Sequence, residues 1–192
     1  VNGQEGRYQE VAVPKGQNLK KAHVIREILE ADVLINVPFA KDHSSTRLTL
    51  SLKNLMGTVL NRDAFHSNNL DQCIVDINSL VKSHLVLVDA IRILTTNGPS
   101  GWGKVESPGK IIAGTNPVAV DGYATTLFGL TGADIGHLRR AKAAGLGEYD
   151  LSKLAVQTVT PKTAPAPQPA PTASPSPTAT PTRPAATPTA VA

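Results

Sequence analysis

Hydrophobic positions in this 192-residue chain follow two periods, and the two alternate along its length. "LKKAHVIREILEA" sets Ala22, Ile25, Ile28 and Leu29 on one helical face. "DVLINVPF" is a continuous apolar run closed by Pro38, the pattern of a strand covered on both sides. "LDQCIVDINSLVKS" returns to helical spacing through Leu70, Cys73, Ile74, Ile77, Leu80 and Val81. "HLVLVDAI" and "KIIAG" read as a second and a third strand. "NPVAVDGYATTLFGL" opens a helix with Asn116 as N-cap and Pro117 at its first position. "ADIGHLRRAKAAGLG" is a further helix, stopped by Gly145 and Gly147, and "KLAVQTV" is expected as a last strand. One stretch, "TRLTLSLKNLMGTVL", fits both periods. Leu48, Leu50 and Leu52 alternate as in a strand, while Leu48, Leu52, Leu55 and Val59 recur as in a helix; the helix is favoured.

This alternation predicts an α/β domain over residues 1–160, with a mostly parallel sheet flanked by helices. Ligands of such sheets sit beyond the C-terminal ends of the strands. Three loops qualify: Ala40–Thr46, Ile91–Gly109 and Gly114–Asn116. From residue 161 the periodicity stops. "PAPQPAPTASPSPTATPTRPAATPTAVA" has nothing to bury, so residues 161–192 are expected to be a disordered Pro/Ala/Thr-rich linker or stalk.

Composition narrows the function classes. The formal charge is +4, and removing the tail's Lys162 and Arg183 leaves about +2 on the folded part. With 4% aromatic residues and no basic stripe, no nucleic-acid partner is expected. Cys73 is the single cysteine, which excludes an internal disulfide, a zinc ribbon and an iron–sulfur cluster held by this chain alone. It reads as a small core residue. No run is long and apolar enough to span a membrane, and no signal peptide is present. The chain begins at Val1 without a methionine, so a preceding segment of the same domain is expected to be missing; the stalk favours an exported or cell-surface protein.

The chemistry gathers after the first strand. Lys41, His43, Lys53, Asn54 and then His66 follow one another closely. Two imidazoles around an ammonium suit metal binding, proton transfer or the holding of an anion. The bland alternative is a polar loop with a snorkelling lysine. "GPSGWGK" has the spacing of a phosphate loop, but Val105 stands where Ser or Thr would hold magnesium, and "VESPG" cannot open a helix. It is read as a pocket-lining loop, with Asn97 and Gly98 as ligand contacts. Asp89 and Asp121 are metal candidates, with a turn and a helix dipole as their structural alternatives. His23, His84 and His137 are read as structural or surface residues.

"DVLINVPFAKDHSSTRLTLSLKNLMG" resembles the family called domain of unknown function 362, whose members carry D-x-x-I-N-x-P, then K-x-H-S, then T-L-x-L-K-N-x-x-G. "LVLVDAIRILTTNGPSGWG" and "KIIAGTNPVAVDGYATTLFGL" resemble its later segments, so the likeness spans roughly Lys20 to Gly147. The resemblance implies a further α/β half before this stretch. Many relatives carry ferredoxin-type cysteines, which this chain lacks. A second resemblance is to the lactate racemase family, which tethers a nickel pincer cofactor to a lysine. His43 precedes Lys53 by ten positions, Gly57 follows, and His66 comes later. This likeness implies His43 as a proton-transfer base, Lys53 as an anchor or anion-binding group, and His66 as a metal ligand. "TLTLS" stands where that family has glycines.

The expected site therefore has His43 and Lys53 as catalytic groups. Lys41, Asn54, Asn97 and Gly98 would bind substrate, and His66, Asp89 and Asp121 would hold a divalent metal if one is the cofactor. Two functions stay open. One is an enzyme acting on a small anionic molecule. The other is a non-catalytic binding module displayed outside the cell on the Pro-rich stalk.

Overall fold

The computed structural model describes residues 5–160. The chain opens with an antiparallel hairpin of β1 (Tyr8–Ala12) and β2 (Lys21–Ile25), followed by the short α1 (Arg26–Glu30). The helix expected from Ala22 onward therefore begins only at Arg26. Ala22 and Val24 are buried while Lys21 and His23 face out, so the two-residue period prevails where β1 supplies a ladder of hydrogen bonds.

The main sheet contains β3 (Ile35–Asn36), β4 (Phe39–His43), β5 (Arg47–Thr49), β6 (Leu85–Leu94), β7 (Val105–Glu106) and β8 (Lys110–Gly114). Between β5 and β6 come α2 (Ser51–Asn54), a 3₁₀ turn over Leu55–Thr58, α3 (Asp63–Ser67) and α4 (Leu70–Leu80). After β8 come α5 (Pro117–Thr125) and α6 (Gly136–Ala143). The long strand β6 is central. β3 and β4 run parallel along one side of it, and β7 and β8 run antiparallel along the other. β5 pairs antiparallel with the outer side of β4. The chain thus builds the α/β class with a helix-flanked sheet, and its pairing is mixed rather than mostly parallel. Parallel neighbours need a crossover, which α2 to α4 provide; β8 returns from β6 without one and so lies antiparallel.

The core lies between one face of the sheet and the helices. Val86, Val88 and Ala90 of β6 are buried with Ile74 and Ile77 of α4 and Val118 of α5. Asn116 caps α5 as the sequence implies, its side chain accepting the Ala119 N–H at 3.0 Å. Cys73 is fully buried, and its Sγ donates to the Asn68 carbonyl at 3.0 Å.

Three expectations change. "DVLINVPF" is covered on one side only: Asn36, Pro38 and Ala40 are buried, while Val33, Ile35, Val37 and Phe39 are 62%, 51%, 60% and 43% exposed. "TRLTLSLKNLMGTVL" is neither all strand nor all helix; β5 ends at Thr49 and α2 starts at Ser51. "KLAVQTV" is not a strand. Leu151–Lys153 forms a 3₁₀ turn, and Val156 and Val159 are exposed with no ladder to join.

Candidate anion-binding site

Four residues cannot hold a helix by themselves, because nucleation costs more than one turn returns. α2 is held from outside. Asp121 of α5, fully buried, accepts the N–H groups of Ser51 and Leu52 at 2.8 and 2.9 Å, one on each carboxylate oxygen. Asn36 of β3 donates to the Ser51 carbonyl at 2.9 Å, and Asn78 of α4 donates to the Leu52 carbonyl at 2.8 Å. Asn54 donates to Asn36 at 2.8 Å. These five hydrogen bonds place Lys53.

Lys53 is 9% exposed, and the hydrogen-bond partner of its ammonium is the thioether sulfur of Met56 at 3.4 Å. Its pKa is lowered first by burial and then by the positive charges of Lys41 and Arg62. The ion pairs among the described residues do not include Lys41, Lys53 or Arg62. Lys41, in β4, reaches the Pro99 carbonyl at 3.5 Å. His43 ends the same strand. Burial pushes its pKa down to about 4, and the charges of Lys53, Lys41 and His66 act in the same direction. The one opposing carboxylate, Asp42, already accepts the Gly98 N–H at 2.8 Å.

The hydrogen bonding of His43 fixes its tautomer. Its Nδ1 lies 3.1 Å from the backbone N–H of Ser45, which can only donate. In the neutral ring the proton is therefore on Nε2. At neutral pH the imidazole is a donor at Nε2, and the free lone pair that a base needs is already engaged at Nδ1.

Among the sequence candidates, Lys41, Lys53 and His66 lie near enough to His43 for their charges to act on it, so the four belong to one region. Arg62 joins them; its position nine residues beyond Lys53 gave no periodic or motif signal. Asn54 supports α2. Asn97 donates to the Trp102 carbonyl at 3.0 Å and takes φ 58° in the loop, while Gly98 packs against the Asp42 backbone so closely that a Cβ would overlap it. These two shape the loop and fasten it to β4. Asp89 lies within β6, five residues before its end, and accepts the Ile91 N–H at 3.0 Å. Asp121 spends both oxygens on α2. No three His, Cys, Asp or Glu side chains are gathered as a metal would need among the described residues, so His66, Asp89 and Asp121 do not form one centre. His23 lies 3.6 Å from Glu10, His84 accepts the Leu34 N–H at 3.1 Å, and buried His137 sits 3.2 Å from Asp71.

A cleft of about 480 Å³ lies elsewhere, lined by Gly122, Thr131, Lys142 and Tyr149 among others. Its lysine is already neutralised by Glu148 at 2.6 Å and rests over the Tyr149 ring. Among the described residues, Lys41, Lys53 and Arg62 at the end of β4 have no such ion-pair partner.

The sequence model of a family described as domain of unknown function (DUF362) matches residues 1–126, and the chain belongs to that family. It is also similar to the thylakoid-associated protein sll1697 of Synechocystis sp., with 27% identity over 132 residues, covering 63% of this chain and 40% of the relative. The chain thus spans well under half the length of that curated relative. No solved structure matches it.

Proposed function

We propose that this member of the DUF362 family binds a small anion, a carboxylate or a phosphate, at the end of β4. The observation that carries the reading is Lys53: a lysine 9% exposed whose ammonium has a thioether as its hydrogen-bond partner. A buried charge without a counter-ion is costly, and an anion would supply the missing acceptor. Lys41 and Arg62 add to the positive field, and Nε2 of His43 adds a neutral N–H donor.

If chemistry follows binding, His43 serves as a donor to an oxygen that gains negative charge. A neutral imidazole with a lowered pKa does this without an added proton. This departs from the proton-transfer base that the lactate racemase likeness implies, because the Ser45 N–H occupies Nδ1.

The test is isothermal titration of the protein with inorganic phosphate and, separately, with malonate, for wild type and Lys53→Met. Saturable binding of either anion to wild type and at least tenfold weaker binding to the variant support the reading. Equal affinities for both proteins would overturn it, as would no heat for wild type with either anion. The two titrations also separate a phosphate site from a carboxylate site.

A further inference from the structure

The helices cover one face of the main sheet, and among the described residues nothing covers the other. Register places its residues in rows, since paired positions share a face. Ile35 stands beside Leu85, Leu87 beside Ala113, and Phe39, Asp89 and Ile111 form a row across three strands. Ile91 and Ile111 are 52% and 65% exposed, in addition to the four exposed residues of 33–39. Side chains of this size and exposure amount to roughly 500 Å², the upper end of what a monomer leaves in water.

We infer that this face is a docking surface, and that its occupant is polypeptide of the same family domain lying outside these 192 residues. The occupant is apolar where it meets Ile35, Val37, Phe39 and Ile111, and it brings a cation or N–H donors to Asp89. Two observations select it. The chain spans 40% of the length of its Synechocystis relative, so a protein of this family has the sequence to build a second layer. The second observation is Asp89 itself, half-buried between Phe39 and Ile111 at the middle of an otherwise apolar face. A second copy packed face to face would bring a like carboxylate towards Asp89. A lipid surface would have to desolvate the same charge.

The test uses single cysteines at exposed positions, which do not perturb the core. Ile35→Cys, Ile111→Cys and, as a reference, Trp102→Cys (101% exposed) are placed in the complete product of the gene that encodes this sequence, and in the 192-residue chain. Maleimide labelling is timed under native conditions. In the complete product, positions 35 and 111 are expected to react at least tenfold more slowly than position 102. In the 192-residue chain all three should react at similar rates. Similar rates in the complete product would overturn the inference, as would a complete product of 20.1 kDa. So would protection of positions 35 and 111 in the 192-residue chain together with a doubled mass by light scattering, which would mean that a second copy is the occupant. None of these readouts involves Lys53, so failure here and failure of the anion reading are separable.

Discussion

Replacing Lys53 by methionine should make the ligand-free protein more stable. The residue is 9% exposed, the hydrogen-bond partner of its ammonium is a thioether at 3.4 Å, and Lys41 and Arg62 oppose its charge. Methionine matches the lysine stem in length and packs beside Met56 without a charge to desolvate. The variant gives up one weak N–H···S contact and is relieved of a buried, uncompensated cation. Residual water access at the ammonium reduces the gain, which we place at about 1–2 kcal/mol. For a domain of this size that raises the melting temperature by about 3–6 °C. The pH dependence has a definite sign. Because the folded pKa lies below the ordinary 10.5, the unfolded chain binds more protons in the interval between the two values. Wild-type stability therefore rises with pH across that interval, and the methionine variant lacks the rise. Urea unfolding at pH 7 reads the first effect. Repeating it with anion at a hundred times the wild-type dissociation constant reads binding: wild type gains about 2.7 kcal/mol, and the variant, binding at least tenfold more weakly, gains about 1.4 kcal/mol or less. A variant that unfolds at lower urea than wild type, and gains as much stability from the anion as wild type does, would refute the assignment of Lys53 to a binding site.

Three further outcomes follow from the same geometry. Asp121→Ala leaves the N–H groups of Ser51 and Leu52 buried without acceptors, which should cost about 3 kcal/mol in urea unfolding and weaken anion binding through displacement of α2. His43, with a folded pKa of about 4 against 6.5 unfolded, takes up its proton in the unfolded chain first, so stability falls as pH drops from 6.5 towards 4. The loss is about 1–2 kcal/mol after discounting for the water that reaches the ring, and His43→Gln should flatten that part of the pH–stability curve. Gly98→Ala would drive a Cβ into the Asp42 backbone, so the 95–103 loop should detach from β4, with a loss of about 2 kcal/mol and faster proteolysis within the loop.

Where local pattern decides structure, the sequence is readable. α4, β6 and β8 have strong periods, and the Asn116–Pro117 start of α5 is written in two adjacent residues. The break between β5 and α2 is not local. Leu48, Leu50 and Leu52 satisfy both periods, and the choice is made by Asp121, about seventy residues along the chain, holding the two N–H groups at the break. The same long-range partner removes Asp121 from the metal candidates, and the β6 ladder, which runs on to Leu94, removes Asp89 from a strand end. An apolar run such as "DVLINVPF" shows what a strand prefers but not what covers it. His43 and Lys53 stood out through charge density after a strand, which is a local signal. Arg62 and the supporting Asn36 and Asn78 are selected only by the packing around α2.

The two proposals meet on β4. Phe39 belongs to the open face, Lys41 follows two residues later, and His43 ends the strand after two more. Two residues of strand advance about 7 Å, so a layer that covers Phe39 also borders the cationic group. Such a layer would exclude water there, and lower local polarity strengthens every charge interaction it encloses. The Lys41–Lys53–Arg62 repulsion would grow, and with it the gain from a bound anion. Anion affinity measured on the 192-residue chain is therefore expected to be weaker than in the complete gene product. Equal affinities would mean that the covering layer stops short of Lys41. The site would then owe its chemistry to α2, β4 and the 95–103 loop alone.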